Sequence, residues 1–229
     1  MFNRTSLGEI SPILPIDFLI PDETKRLSTA CRLVAPRTKL LLRDFPQSMD
    51  FRLKDGCVAL YQSLGDGRRQ ILDILGPGSL LGQSIGSVAA CKAETLTFTQ
   101  IEPISAPLTD QAVGTALREL LTRAQALATL LGRKTAPEKV ASAMLDLSER
   151  FALLSRDDRP GQTTFRLYLT RADLADWLGL TLETVCRCLG SFKRSGLIAF
   201  THPEIITITD EDTLRLIAAG QGTQAKQAP

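Results

Sequence analysis

Between Leu182 and Ser195 the chain carries a carboxylate, a thiol and a guanidinium at a spacing one helix face can use. Glu183, Cys186, Arg187 and Gly190 fall at i, i+3, i+4 and i+7, so a helix of 3.6 residues per turn stacks them in one stripe. Val185, Cys188, Leu189 and Phe192 repeat that spacing on the opposite side, as the stripe such a helix would bury. A guanidinium can make two hydrogen bonds to guanine O6 and N7, and a carboxylate can accept from cytosine N4. A carboxylate gains nothing from phosphates. Its place in this stripe therefore points to the reading of base edges rather than to backbone grip alone. The competing reading is an exposed helix with an unrelated Glu and Arg.

The elements that must position this stripe are legible around it. Thr170 precedes a helical pattern through Leu178 and suits an N-cap, with Asp173 placed as the acid of a capping box. Gly179 stands where a tight turn needs positive φ, and Thr181 caps the second helix. Ala175, Gly179 and Val185 have the spacing of a helix-turn-helix. Thr170, Arg171, Thr181, Leu182, Thr184, Lys193 and Arg194 are the candidates for the DNA backbone. After Ser195-Gly196 a strand, a short turn over Phe200 to Pro203 and a returning strand over Glu204 to Thr209 read as a two-stranded wing. His202 at its tip reads as a turn residue or phosphate neighbour.

Upstream, residues 1–108 read as β-rich. Val58 to Leu64 and Arg69 to Leu75 flank Gly65-Asp66-Gly67, a strong hairpin signal. Leu96 to Ile101 alternates and closes with Pro103, and a small helix is expected near Pro21 to Cys31. Short strands between glycines suggest an antiparallel barrel or roll. From Thr109 to Leu131, Val113, Leu117, Leu120, Ala124, Leu127 and Leu131 are spaced 4, 3, 4, 3, 4, an a/d seam. That seam fits either a parallel dimer helix or a helix packed on its own domain. Gly132 to Pro137 reads as a hinge, Pro137 and Glu138 as the first turn of a helix reaching about Leu154, and 155–165 as a polar loop. The parts expected are a roll over 1–108, a dimerisation helix over 109–132 and a DNA-binding domain over 133–229, an α+β fold.

Composition narrows the classes further. The chain has 229 residues, 44% hydrophobic and 23% charged, which excludes a disordered chain. With 27 basic and 25 acidic residues the net charge is only +2, so any nucleic-acid site must be locally basic. No apolar run approaches the roughly 20 residues of a spanning helix, and no secretory signal is visible, so a cytoplasmic protein without a membrane partner is expected. Five cysteines at low density and a single histidine predict neither a disulfide framework nor a metal site. No cofactor is expected. No paired carboxylates, Ser/His arrangement or phosphate loop supports an enzyme.

Taken together, Asp66-Gly-Arg-Arg-Gln-Ile71, Leu75-Gly-Pro-Gly-Ser-Leu-Leu-Gly82, the apolar helix and the stretch from Leu169 to Arg187 resemble the cyclic-AMP receptor protein/FNR superfamily of bacterial transcription regulators. The chain is most similar to its FixK-like and FNR-like branch, over nearly its whole length. The resemblance implies an N-terminal antiparallel β-roll (a double-stranded β-helix, cyclic-nucleotide-binding-like), a long dimerisation helix and a C-terminal winged helix-turn-helix. It also implies a homodimer on a palindromic operator and RNA polymerase as protein partner, with loops such as Leu64 to Arg69 as contacts. The family's recognition helix carries Glu-x-x-Ser-Arg. Glu183 and Arg187 match it, implying half-sites with a TTG/CAA core, and Cys186 replaces Ser.

The sensor departs from ligand-binding members. Those carry Gly-Glu and later Arg-Ser/Thr-Ala, where this chain has Gly82-Gln83 and Cys91-Lys92-Ala93, so the guanidinium that would pair with a cyclic phosphate is missing. Oxygen-sensing members carry an N-terminal cysteine cluster, where this chain has only Cys31. The double absence fits a regulator set by its own abundance below an oxygen-responsive cascade. A small-molecule-gated regulator is the alternative. Cys186 remains as a redox candidate, because its oxidation would set negative charge against phosphates.

Overall fold

The computed structural model describes residues 31–40, 50–82, 91–104, 106–153 and 162–221. The helix expected near Pro21, the position of Gln83 and the C-terminal tail after 221 lie outside them. Eight strands come first: β1 Arg32–Val34, β2 Lys39–Leu40, β3 Asp50–Asp55, β4 Val58–Ser63, β5 Arg69–Leu75, β6 Leu80–Gly82, β7 Lys92–Thr95 and β8 Thr99–Ile104. They form two antiparallel sheets, ordered β1-β8-β3-β6 and β2-β7-β4-β5. Phe51, Leu53, Leu81 and Ile101 from the first meet Leu40, Val58, Leu60, Leu75 and Ala93 from the second, closing a roll around a dry interior.

The apolar run of β4 has a simple reason: the strand is buried on both faces. Val58 and Leu60 point into the roll, while Cys57, Ala59 and Tyr61 join a second core outside it. The partner strand β5 carries a bulge. Leu60 pairs with Asp73 and Tyr61 with Ile71, leaving Leu72 as the extra residue and breaking the alternation. The β4–β5 hairpin turns as its glycines require, with Gly67 at φ +88 and the Leu64 N–H 2.7 Å from the Arg68 carbonyl.

The strand expected over Leu96 to Ile101 is corrected. A strand ends at Thr95, residues 96–98 turn, and β8 continues through Pro103. Among the described residues β1 pairs only with Thr99 to Ile101, so no described partner on that edge needs the N–H that the proline lacks.

Two helices follow. α1 spans Asp110–Arg133, capped by Thr109, and α2 spans Ala136–Phe151. Glu138 accepts a 3.1 Å hydrogen bond from the Thr135 N–H, and Pro137 occupies the first turn, as expected. The remainder is β9 Thr163–Arg166, α3 Arg171–Leu178, α4 Leu182–Arg194, β10 Ile198–His202, β11 Ile205–Ile208 and α5 Glu211–Ala218. The polar loop expected through 165 is therefore too long: Thr163–Arg166 forms β9 on the far side of β11, making the wing sheet three-stranded. Threonine-rich Thr163-Thr164 suits a half-covered strand, with Phe165 fully buried beneath it. α5, which the sequence reading did not assign, is capped by Asp210 and buries Leu214 against the second core.

That core unites Val140, Met144 and Leu147 of α2, Leu174 and Leu178 of α3, Val185 and Leu189 of α4, and Ile206 and Ile208 of β11. It also takes in Ile71 and Ile74 from the roll, so roll and reader share apolar packing. The fold is α+β: an N-terminal antiparallel roll, a long helix and a C-terminal winged helix-turn-helix.

Candidate nucleic-acid interface

The capping chemistry around α3 and α4 has the expected form. The Thr170 Oγ1 accepts from the Asp173 N–H at 3.1 Å, and the Asp173 carboxylate accepts from the Thr170 N–H at 2.8 Å. Gly179 ends α3 in the left-handed conformation, φ +59 and ψ +45. An L side chain there would be strained, and its Cβ would press on Leu131 of α1 at 3.3 Å. Thr181 caps α4 by accepting from the Thr184 N–H at 3.2 Å.

The two stripes of α4 separate as their spacing predicts. Val185, Cys188, Leu189 and Phe192 are buried, while Glu183, Cys186 and Arg187 are exposed. Burial pushes the Cys188 thiol up, out of reach of easy ionisation. Arg187 donates to the Thr184 hydroxyl at 3.3 Å, and Thr184 in turn pairs with Thr181 at 3.0 Å. Glu183 is held below the usual carboxylate range by its own backbone N–H, the Thr181 hydroxyl and nearby Arg187. A charged acid and a charged base thus stand side by side on an open helix face.

Around them gather exposed groups that suit phosphates: Thr170, Thr181, Lys193 and Arg194, with Arg171 and Thr184 half-buried. Leu182 is also open, 45% exposed, beside Cys186 one turn on. One member of this surface escaped the sequence reading. The Phe200 ring of β10 lies 5.1 Å beneath the Arg171 guanidinium and 5.9 Å from the Lys193 ammonium, tying α3, α4 and the wing together. The wing turn expected from Phe200 is corrected: β10 runs through His202 and the turn falls at Pro203-Glu204, because Phe200 pairs with Ile206 of β11. Burial lowers the Arg171 pKa, and Cys186 is close enough to couple to its charge. His202 sits at the wing tip, where its Nδ1 faces the Glu204 N–H at 3.4 Å.

The seam on α1 is split. Leu127 and Leu131 pack on their own chain's core, and Leu120 faces Leu60 and Leu75 of the roll. Val113 is half-buried, whereas Leu117 is 42% exposed and Ala124 is open. Leu121, 58% exposed, and Ala128 complete an outward ridge spaced 4, 3, 4 that shares Leu117 and Ala124 with the heptad seam.

Residues 138–217 match the Crp-like helix-turn-helix domain. The chain is 36% identical over 174 residues to the transcriptional activator protein FnrL of Cereibacter sphaeroides, covering 71% of this chain and 70% of that protein. It is 33% identical over 168 residues to the nitrogen fixation regulation protein FixK of Rhizobium meliloti, covering 72% and 76%. The chain belongs to the CRP/FNR family of transcription regulators. Within it, the FixK-like branch is supported by structure as well: FixK2 from Bradyrhizobium japonicum superposes with a TM-score of 0.71 at 28% identity, covering 82% of this chain and 96% of that one. As a CRP/FNR regulator the chain is a DNA-binding protein.

Family membership sharpens the reading of the roll. Lys92, near the place of the ligand-binding members' arginine, lies on β7 and donates to the Ser63 hydroxyl at 2.9 Å, on the outside of the sheet. Among the described residues, no group of three or more His, Cys, Asp or Glu is set to hold a metal ion, and no helix is long and apolar enough to cross a membrane.

Proposed function

We propose that this CRP/FNR regulator is a homodimeric, sequence-specific activator of transcription that works in the cytoplasm without a cofactor. Two copies join along α1, and each sets its α4 in a major groove, with half-sites about one helical turn apart. In this reading residues 1–108 form the roll, 109–132 the dimer helix and 133–229 the DNA-binding domain. Leu117, Leu121, Ala124 and Ala128 supply the inter-subunit seam, with Val113 at its rim. Leu120, Leu127 and Leu131 brace α1 from behind.

The single observation that carries the proposal is the exposed Glu183–Cys186–Arg187 stripe on a doubly capped helix whose opposite face is wholly buried. Arg187 reads a guanine, Glu183 a cytosine amino group, and the Cys186 thiol meets a thymine methyl, consistent with a TTG/CAA half-site. Thr170, Arg171, Thr181, Leu182, Thr184, Lys193 and Arg194 lie along the flanking backbone. RNA polymerase is the protein partner, with the exposed loop from Leu64 to Arg68 as a contact. The FixK relatives are nitrogen fixation regulation proteins, which supports a role in low-oxygen or redox-linked gene control of that kind. Oxidation of Cys186 by peroxide, through the sulfenic to the sulfinic acid, sets negative charge against the phosphates and weakens binding.

Selection of bound duplexes from random DNA by the purified protein, with and without reductant, tests the whole reading. An inverted repeat with TTG/CAA arms, preferred under reducing conditions, is the expected result. A monomer, or a protein indifferent to sequence at low salt, would overturn it. The ligand-gated alternative has less support, since the guanidinium that would pair with a cyclic phosphate is missing and Lys92, near its place, is turned to the Ser63 hydroxyl.

A further inference from the structure

The reader does not hang from the roll by its hinge alone. Arg37, in the turn between β1 and β2, makes a two-pronged ion pair with Asp173 of α3, at 3.0 and 2.7 Å. Arg69 of β5 reaches the same carboxylate, and also Asp176 at 2.5 Å and Glu94 of β7 at 3.1 Å. Beside them the Gln70 side-chain amide donates to the Trp177 carbonyl at 3.1 Å. The Asp173 side chain is only 1% exposed, so its end of these contacts lies out of water, while the Arg37 side chain stays 40% exposed. Asp173 is therefore both the capping acid of α3 and the anchor of two arginines from the roll.

The turn bearing Arg37 is itself held in an uncommon shape. Arg37 has φ +60, the only positive φ outside glycine among the described residues. Its N–H donates to the Thr95 carbonyl at 2.7 Å, and the buried Thr95 hydroxyl accepts from the Thr38 N–H at 3.0 Å. A glycine would fit the backbone more easily. What an arginine adds at that site is reach to Asp173.

The same strand also grips the other helices. Asp73 of β5 accepts from Arg123 of α1 at 2.8 Å and from Arg150 of α2 at 3.4 Å. Arg150 donates as well to the Ile74 carbonyl. Thus β5 fixes α1, α2 and α3 at successive residues along one strand. None of these contacts covers Glu183, Cys186 or Arg187, which remain open while the clasp is closed.

We propose that Arg37 and Arg69 are positioning residues: their clasp on Asp173 and Asp176 sets the angle of the recognition helix against α1, and so the half-site separation the dimer accepts, without any ligand. An open reading face under a closed clasp marks the device as one that presents the reader rather than one that shuts it away. This inference rests on the dimeric reading above, so its test has one arm that needs no DNA.

The variants are Arg37→Gly, which relieves the backbone while removing the guanidinium, and Arg69→Met, which keeps an apolar stem over Tyr61. In the first arm, small-angle X-ray scattering of DNA-free protein is expected to show a larger maximum dimension in both variants, while the wild type stays compact. In the second, binding is measured to the selected inverted repeat, to the same repeat with one base pair added or removed between its arms, and to a single half-site. The wild type is expected to prefer the selected spacing at least tenfold, and the double variant under threefold, with single-half-site affinity changed less than twofold. Unchanged scattering overturns the clasp whatever the DNA does. Equal losses on the single half-site and the full repeat overturn the positioning role, because they report damage to the reader alone. If the wild type ignores every inverted repeat, the dimeric reading fails and the scattering arm still judges the clasp.

Discussion

Asp173→Asn isolates the charge at the centre of the clasp, and the structure gives its size. Burial alone would push the Asp173 carboxyl up, but hydrogen bonds from Arg37 and Thr170 outweigh that cost and hold it at about 2, against 3.8 unperturbed. The folded pKa is depressed, so the stabilisation is present above the unfolded pKa and is lost as pH falls through the folded one. A shift of this size corresponds to about 2 kcal/mol at pH 7, roughly half of that at pH 3, and little below pH 2. Asparagine keeps the cap geometry but removes the charge, leaving Arg37 and Arg69 without their shared partner. Urea unfolding at fixed protein concentration, at pH 7, 5, 4 and 3, should show the variant weaker by about 2 kcal/mol at neutral pH. The gap should narrow between pH 4 and pH 3. A gap that stays constant across that range would refute the reasoning, because it would reflect packing rather than charge.

Other outcomes can be read separately. Arg187→Ala should cost about 1–3 kcal/mol on the selected site and relax preference at one guanine, measured by binding to a set of single-base variants; a uniform loss on all sequences would contradict base reading. Leu121→Glu combined with Leu117→Glu should weaken dimerisation by about 100-fold or more in sedimentation equilibrium, since each leucine forfeits about 1.5–3 kcal/mol of apolar burial; an unchanged dimer would remove α1 from the interface. Peroxide should cut operator binding by the parent but spare Cys186→Ser, with equal losses in both removing the redox role of that thiol.

How much of this was legible depended on distance along the chain. The β4–β5 hairpin, the Thr170–Asp173 capping box, the Gly179 turn and the two stripes of α4 each follow from residues within about ten positions of one another, where propensity and period act directly. The heptad of α1 gave its period, and Leu117 and Ala124 of that seam stand on the exposed ridge, while Leu127 and Leu131 pack on the chain's own core, because a helix pressed against its roll shares its apolar residues between partners. Leu120 lines a small cavity together with Leu60 and Leu75, which marks that position as inward-facing. β9 was hidden for a similar reason: Thr163 and Thr164 look like loop residues until β11 supplies a partner. The Leu72 bulge reversed the alternation of β5 without any glycine to signal it. The clasp was beyond reach altogether, since Arg37 and Asp173 are 136 positions apart and Asp173 is legible only as the capping acid of its own helix.

The chemistry of the clasp bears on what this regulator can sense. Asp173 is held at about 2 and the Arg37 and Arg69 pKa values are raised, so the pairs at the centre of the clasp keep their charge between pH 5 and pH 8, and the chain's one histidine lies on the wing instead. If the clasp sets the reader's pose, as proposed, changes of pH across that range are expected to leave it in place. Salt divides the molecule in the same way. Asp173 is shielded from solvent, so mobile ions screen its pairs weakly, whereas Lys193 and Arg194 are open, and the hold on DNA proposed for them would rest on counterion release. Raising ionic strength should consequently strip the protein from its operator well before it loosens the roll from α3. What remains open to chemical change on the exposed reading helix is the Cys186 thiol, beside the Arg171 guanidinium, and it lies on the far side of α4 from the buried Cys188. Under the proposed redox control, a fixed pose with a thiol on its exposed face would be tuned at the DNA surface without any rearrangement behind it, which is the opposite of a receptor whose ligand must move its helices.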